Sequence, residues 1–503
     1  MSVVKELERN VAQDRRHTAD SQAKPDDHPL IFETGSPGLC AVSLPTSDVP
    51  AANREAVVPA ELLANAPPAL PEVGELDLVR HYKRLAQRCF SIDGNFYPLG
   101  SCTMKYNPRI NERIAAMPGF ADLHPYQDDA DVQGMLELLF RLRCDLAEIA
   151  GLAEVTLQPA AGAHGEMTGL MIINAYHRSR GENRTKVLAP DSAHGTNPAT
   201  CTVCGRRSVS VRSRDDGRID LDDLSALTDE DTVALMITNP NTVGVFDDQI
   251  ADVAEILHAK GAQLYLDGAN MNAILGITRP GDFGVDAMHF NVHKTFSTPH
   301  GCGGPGAGPV AVAEHLRDFL PVPQVVRQDD GTFAWSSDRP GSIGKVRSFT
   351  GQIGILVRGY AYIRALGHDG LKDVAMKAVL AANYLAARLK DRYPMPFPFP
   401  CAHEFIAVPD FPGSGVSEHD IAKRLIDYGI HPPTMSWPIH HCLMIEPTET
   451  ESLQTLDHFV DAMLSIADEI EKDPEVVRGA PHDMPVKRLD EVTATRKPNV
   501  RWT

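Results

Sequence analysis

The stretch TVALMITNPNTVGVFDDQIADVAEILHAKGAQLYLDGANMNA (232–273) contains a strand, a polar loop, a helix and a second strand in direct succession. TVALMIT (232–238) is a short apolar run, the pattern of a strand covered on both faces. DQIADVAEILHAKG (248–261) is amphipathic at helical spacing and stops at Gly261, where a C-terminal capping glycine belongs. QLYLD (263–267) is the next strand. Outward from this unit the pattern repeats, with candidate strands at 186–189 (KVLA), 208–212 (SVSVR), 287–291 (AMHFN) and 309–312 (PVAV). VTLQPAAGAHGE leads into a helix over 165–179. Strands alternating with helices imply an α/β domain built on a mostly parallel sheet.

Towards the N-terminus, a helix is expected over 129–150, with Met135, Leu138, Leu139, Leu142 and Leu146 at helical spacing, and another over 76–90. Residues 1–75 mix charge with proline and read as an arm or extension. Beyond 350 the pattern changes to helices at 353–366, 371–391 and 452–471 within a mixed tail. The expected organisation is an arm (1–75), a large α/β domain with its N-terminal helical segment (76–350), a smaller α+β domain (351–480) and a tail (481–503).

Lys and Arg number 48 against 67 Asp and Glu, a formal charge of -19, which argues against nucleic acid or an anionic membrane as main partner. Nine cysteines in 503 residues are too sparse for a secreted disulfide scaffold. The start, MSVVKELERNVAQDRRH, has no apolar core of a secretory signal, and its acidic residues count against an organelle transit peptide. No apolar run approaches the roughly 20 residues that span a bilayer. The expectation is a cytoplasmic protein.

Chemistry concentrates at strand ends. NVHKTFSTPHGCGGPGAGPV (291–310) places His293 and Lys294 after a strand and before a glycine-rich run. A lysine desolvated there forms a Schiff base with an aldehyde cofactor; a solvated surface lysine is the plain alternative. Asp267 ends the strand 263–267, at the sheet edge where such folds bind ligands. In a pyridoxal-phosphate enzyme it pairs with the pyridine nitrogen; otherwise it caps a turn. PAAGAHGEMTG (159–169) offers free N–H groups at a helix start to a phosphate. In PDSAHGTNP (190–198), His194 either stacks on a cofactor ring or holds a turn. In TNPNTVGVF (238–246), Thr242 is a donor to a phenolic oxygen, while Asn239 and Asn241 are also read as turn residues.

Together SAHGTNPA, LDGANMNA, RPGDFG (279–284) and HKTFSTPHGCGGPG resemble the glycine decarboxylase P-protein family, as do PLGSCTMKYN (98–107), PTMSWP (433–438) and MIEPTE (444–449). The resemblance runs from about residue 85 to about 470. The length is similar to subunit 2, the cofactor-bearing subunit of the family's two-subunit bacterial form. It implies a type I pyridoxal-phosphate-dependent fold, with the cofactor covalently on Lys294, Asp267 on the pyridine nitrogen, His194 on the ring face and Thr242 near the phenolic oxygen. It further implies Asn270 and His293 in the wall, and Gly162 and Ala163 on the phosphate. His164 is assigned to the phosphate side or to a carrier-facing position. The implied activity is decarboxylation of glycine with transfer of the aminomethyl group to the lipoyl arm of H-protein. The implied partner is a subunit 1, two copies of each forming a heterotetramer.

The loop 98–107 is a candidate contact for substrate or the incoming arm. Cys201-x-x-Cys204 lacks the second pair of a zinc site and reads as structural, and His440-His441 as small-domain structure, so no metal is expected. Cys102 and Cys302 lie in segments assigned to the cofactor's surroundings, where oxidation can reach them. Competing readings are an aminotransferase, for which Arg347 is the one candidate carboxylate clamp, a cysteine desulfurase, and a non-catalytic scaffold subunit. The lysine, aspartate and histidine together argue against the last.

Overall fold

The computed structural model describes residues 29–66, 68–301 and 306–500. Cys302 and the glycines beside it therefore lie outside the described residues, as do the first 28 positions of the expected arm. Contacts divide the chain into a unit ending at Phe90 and a unit starting at Ser91. In the first, short turns at Ile31–Glu33 and Ala60–Leu62 and one turn of helix at Arg54–Val57 precede helix α1 (Glu75–Gln87). The Ser36 N–H donates to the Glu72 carbonyl at 2.9 Å.

The second unit is organised by a seven-stranded sheet. Its strands are β1 (Glu154–Thr156), β2 (Lys186–Pro190), β3 (Arg207–Val211), β4 (Thr232–Ile237), β5 (Gln263–Gly268), β6 (Ala287–Phe290) and β7 (Val310–Val312). Their spatial order is β1-β7-β6-β5-β4-β2-β3. The run from β6 to β3 is parallel, and β7 lies antiparallel to both β6 and β1. The expected strands all form, with ends shifted by a residue or two. β1 is an addition: three residues carry too little periodicity to announce a strand, and only pairing with β7 makes one.

Alternation along the strands assigns the two faces. Leu188, Leu235, Ile237, Leu264, Leu266, Met288 and Phe290 join one core with helix α2 (Gln133–Ala150). Val187, Ala234, Met236, Tyr265 and Ala287 form the opposite core with Leu170, Ile172 and Ile173 of helix α3 (Gly162–Ser179). Every residue of β4 and β5 is buried, as strands sandwiched between helical layers must be. Helices α4 (Thr196–Val203) and α5 (Ile250–His258) follow β2 and β4.

The helical span α6 (Ile353–Leu389) is two helices meeting at a kink at Gly367, where φ is 62° and ψ is -171°, as the two expected helices require. After it, β10 (Phe405–Ala407), β11 (Thr434–Met435) and β12 (Leu443–Ile445) form an antiparallel sheet in the order β10-β12-β11. The intervening hairpin of β8 (Gln324–Arg327) and β9 (Phe333–Ser336) pairs on its own. Helices α7 (Glu418–Asp427) and α8 (Leu453–Lys472) cover the small sheet around Leu385, Phe405, Leu425, Leu443 and Phe459. No helix among the described residues is long and apolar enough to cross a membrane.

Candidate active site

The carboxyl ends of β2, β4, β5 and β6 point the same way, and the loops leaving them surround a cavity of about 310 Å³. Lys294, Asp267, His194, Thr242, Asn270, His293, Gly162 and Ala163 all line it. Residues that span more than 130 positions in sequence thus converge because parallel strands deliver their ends to one edge.

Lys294 follows β6 and, among the described residues, is tethered by a single hydrogen bond from Nζ to the Ser101 carbonyl at 2.6 Å. Asp267 is 5% exposed at the end of β5. Its Oδ1 accepts from the Ala269 N–H at 3.1 Å and lies 3.4 Å from His289 Nε2. The His289 ring is fixed from its other side, where Nδ1 meets the Tyr265 hydroxyl at 2.8 Å. Asp267 is thus held in one orientation from the sheet.

His194 stands at the cavity rim, its ring edge-to-face with Trp437 at 5.6 Å and its Nδ1 2.8 Å from the Thr196 hydroxyl. Thr242 donates to the Ser192 carbonyl at 3.1 Å, which ties the β4 loop to the β2 loop. His293 packs edge-to-face on His300 at 4.9 Å. Burial first, then His300 and the Lys294 charge, bring its pKa down to about 3, so the ring is neutral at physiological pH.

Helix α3 begins at Gly162 without a side-chain cap, so its first N–H groups have no partner within the helix. A Cβ at Gly162 would stand 2.2 Å from Asn291 Oδ1, so only glycine lets the helix end approach the β6 loop this closely. His164 is placed differently from Gly162 and Ala163. Its ring turns back to accept from the Ala160 N–H at 3.1 Å and does not line the cavity. Arg347 does not line it either; its Nε donates to the Ser348 carbonyl at 3.0 Å.

Several lining residues were not singled out from sequence. Glu166, one turn into α3 and 4% exposed, accepts from the Thr196 and Thr200 hydroxyls at 2.8 and 3.1 Å. Burial, and then Asp267, push its carboxyl up to about 7. It sat in the quoted segment PAAGAHGEMTG; the available signal was an acid in an otherwise small and apolar helix start. His403 and Glu404 come from the segment before β10, which carried no recognisable signal. The loop 98–107 does reach the site: Ser101 and Cys102 line the cavity. Lys105 anchors that loop through a buried ion pair to Glu449 at 2.6 Å and a hydrogen bond to the Tyr362 hydroxyl at 3.1 Å. Cys201 packs on the Met236 sulfur at 3.9 Å, while Cys204 faces the Met167 carbonyl.

A group with an aldehyde, a ring nitrogen and a phosphate fits this chemistry. The cavity presents a primary amine, an oriented carboxylate and an uncapped helix start. It also holds buried polar atoms without partners among the described residues, at His293 Nδ1 and Thr238 Oγ1.

The sequence matches the family described as glycine cleavage system P-protein over residues 48–331, and the C-terminal domain of glycine dehydrogenase over 374–484. A probable glycine dehydrogenase (decarboxylating) subunit 2 from Halalkalibacterium halodurans is 55% identical over 480 residues, covering 95% of this chain and 98% of that one. The corresponding protein of Bacillus licheniformis is 54% identical, covering 95% and 99%. Among solved structures, an inhibitor-bound glycine decarboxylase (P-protein) superposes with a TM-score of 0.69 at 23% identity, covering 82% of this chain and 95% of that one. A cysteine desulfurase from Thermococcus onnurineus superposes with a TM-score of 0.58 at 16% identity, covering 75% and 95%. These likenesses are of fold, and the fold is the type I pyridoxal-phosphate-dependent one, with a large mixed sheet followed by a smaller domain. With family matches over both parts of the chain and relatives more than half identical along nearly all of it, the chain belongs to the glycine cleavage system P-protein family.

Proposed function

We propose that this chain, carrying pyridoxal phosphate on Lys294, decarboxylates glycine and passes the remaining aminomethyl group to the lipoyl arm of a carrier protein. The observation that carries this reading is the convergence of Lys294, Asp267 and His194 on one cavity in a chain of this family. When bound, the cofactor supplies the electron sink that cleavage of the glycine carboxylate requires.

The residues divide the work. Lys294 is the amine that would hold the cofactor. Asp267 holds the proton on the pyridine nitrogen, and its hydrogen bond from Ala269 and contact with His289 keep its oxygen aimed. His194 would cover the ring face, with Trp437 packed edge-to-face against it. Thr242 would lie on the side of the phenolic oxygen, and Asn270 and neutral His293 would complete the wall. The N–H groups of Gly162, Ala163 and His164 at the start of α3 receive the phosphate, so His164 acts there through its backbone.

The relatives named as subunit 2 support a partner subunit 1; two copies of each, with a lipoylated H-protein as acceptor, complete the assembly we propose. The cytoplasm is the compartment we assign. The test is an absorption spectrum of the chain with pyridoxal phosphate, before and after glycine. It is followed by exchange of labelled bicarbonate into the glycine carboxyl in the presence of subunit 1 and lipoylated H-protein. A glycine-dependent spectral change with carrier-dependent exchange is expected. A spectrum that answers other amino acids but not glycine would overturn the substrate.

A further inference from the structure

A second group of titratable side chains faces the cavity from the small sheet. Glu404 and Glu446 stand one residue beyond the Phe405–Ile445 pair of the antiparallel β10–β12 ladder, so they are cross-strand neighbours. They are 3% and 0% exposed. Two carboxylates so placed repel one another, and burial makes a second charge costlier still.

Their hydrogen bonds are unequal. Glu446 accepts three, from the Thr103 N–H at 3.1 Å, the Thr103 hydroxyl at 2.7 Å and the Asn270 amide at 2.9 Å. Glu404 accepts one, from the Ser101 N–H to Oε2 at 2.7 Å. A charge is held where donors are most numerous, so the proton of the pair belongs on Glu404. Burial, and then the neighbouring Glu446, accordingly hold the Glu404 carboxyl well above the usual carboxylate range. Its Oε1 lies 3.8 Å from Nε2 of His403, a buried ring with no hydrogen-bond partner at either nitrogen among the described residues.

Glu404 lines the same cavity as Lys294, and one residue joins the two. Ser101 donates its N–H to Glu404 and accepts the Lys294 amine on its carbonyl. A carboxyl held well above the usual carboxylate range is thereby joined to the Lys294 amine through the Ser101 backbone.

We propose that Glu404 is the acid that supplies the proton consumed when the aminomethyl group moves to the acceptor disulfide. The assignment rests on the function proposed above. In the transfer, the electron pair left behind by carbon dioxide forms a carbon–sulfur bond, and the sulfur–sulfur bond of the acceptor breaks. The glycine carbon is oxidised and the disulfide reduced by the same two electrons. The second sulfur departs as a thiolate and takes the carboxyl proton of Glu404, which solvent restores before the next turnover. Glycine, disulfide and one proton are consumed; carbon dioxide and the S-aminomethyl thiol are formed.

The groups governing this proton are Glu446 of the neighbouring strand end, Lys294 after β6 and His403 on the same segment. Cys102 and His300 lie in the same field of Lys294 and Glu446. The experiment compares wild type, Glu404→Gln and Glu404→Asp as holoenzyme with subunit 1 and lipoylated H-protein. It reads the glycine-induced absorbance change and single-turnover transfer as a function of pH. Glu404→Gln is expected to keep the absorbance change, to slow transfer by roughly 100-fold or more, and to lose the alkaline limb expected of wild type. Glu404→Asp, which retains an acid, is expected to recover part of the rate and the limb. Wild-type transfer with an unchanged rate and limb in Glu404→Gln overturns the assignment alone. So does loss of the glycine response in both variants, which would mark a structural role. Failure of wild type to transfer at all overturns the functional reading, and this one with it.

Discussion

Glu166 and Asp267 bring carboxylate oxygens within 4.8 Å of each other at the floor of the cavity, with a ring nitrogen of His289 equally close. Glu166 also touches Thr196, whose hydroxyl meets His194, so one chain of contacts links the histidine at the rim to the aspartate under it.

That arrangement has a pH signature. Folding takes up a proton at Glu166, whose carboxyl rises from 4.5 to about 7. The stability tied to this proton is fully present below about pH 4.5 and is lost as pH rises through about 7. The whole effect is on the order of 3 kcal/mol. Glu166→Gln, which is neutral throughout, is expected to flatten this part of the pH dependence in urea unfolding of the cofactor-free chain. Identical slopes for the two proteins would show that Glu166 is charged in the folded state.

Lys294→Ala is expected to fold normally, since among the described residues Nζ makes one hydrogen bond, to the Ser101 carbonyl. Turnover should drop to background, and the visible band of bound pyridoxal phosphate should disappear. Full turnover in this variant, measured by carboxyl exchange, would sink the proposed function.

Lys105→Met leaves Glu449 buried without its cation. Both side chains are almost fully enclosed, at 0% and 7% exposure. Breaking such a pair from one side costs about 3–5 kcal/mol. Denaturant midpoints check the value, and a loss below about 1 kcal/mol would place the pair with surface ion pairs.

Gly244→Ala tests how the two sheets are registered at the site. Gly244 has φ of 82°, and a Cβ there would stand 2.0 Å from the Glu404 carbonyl. The Ala402 N–H also donates to the Gly244 carbonyl at 2.7 Å. The substitution is expected to destabilise the chain by about 1–3 kcal/mol and to slow aminomethyl transfer by displacing the Glu404 backbone. Unchanged thermal unfolding would show that the β4 loop yields freely.

What sequence alone determined is local or directly patterned. Five parallel strands announced themselves because buried strands are short apolar runs and their connecting helices repeat at 3.6 residues. The cavity could be anticipated because parallel strands send their ends to one edge, where Asp267, His194, Thr242 and Lys294 stood at recognisable positions. Tertiary structure alone decided the rest. β1 exists only through its pairing with β7. The ring of His164, two residues from Gly162, does not line the cavity and satisfies the Ala160 N–H instead. Glu404 meets Ser101 across 303 residues of sequence, and Glu446 meets Thr103 across 343. No periodicity encodes such meetings, because the register of a separate antiparallel sheet and the path of the 98–107 loop bring those groups together. The protonation that follows arises from shared burial, which belongs to the pair and not to either residue.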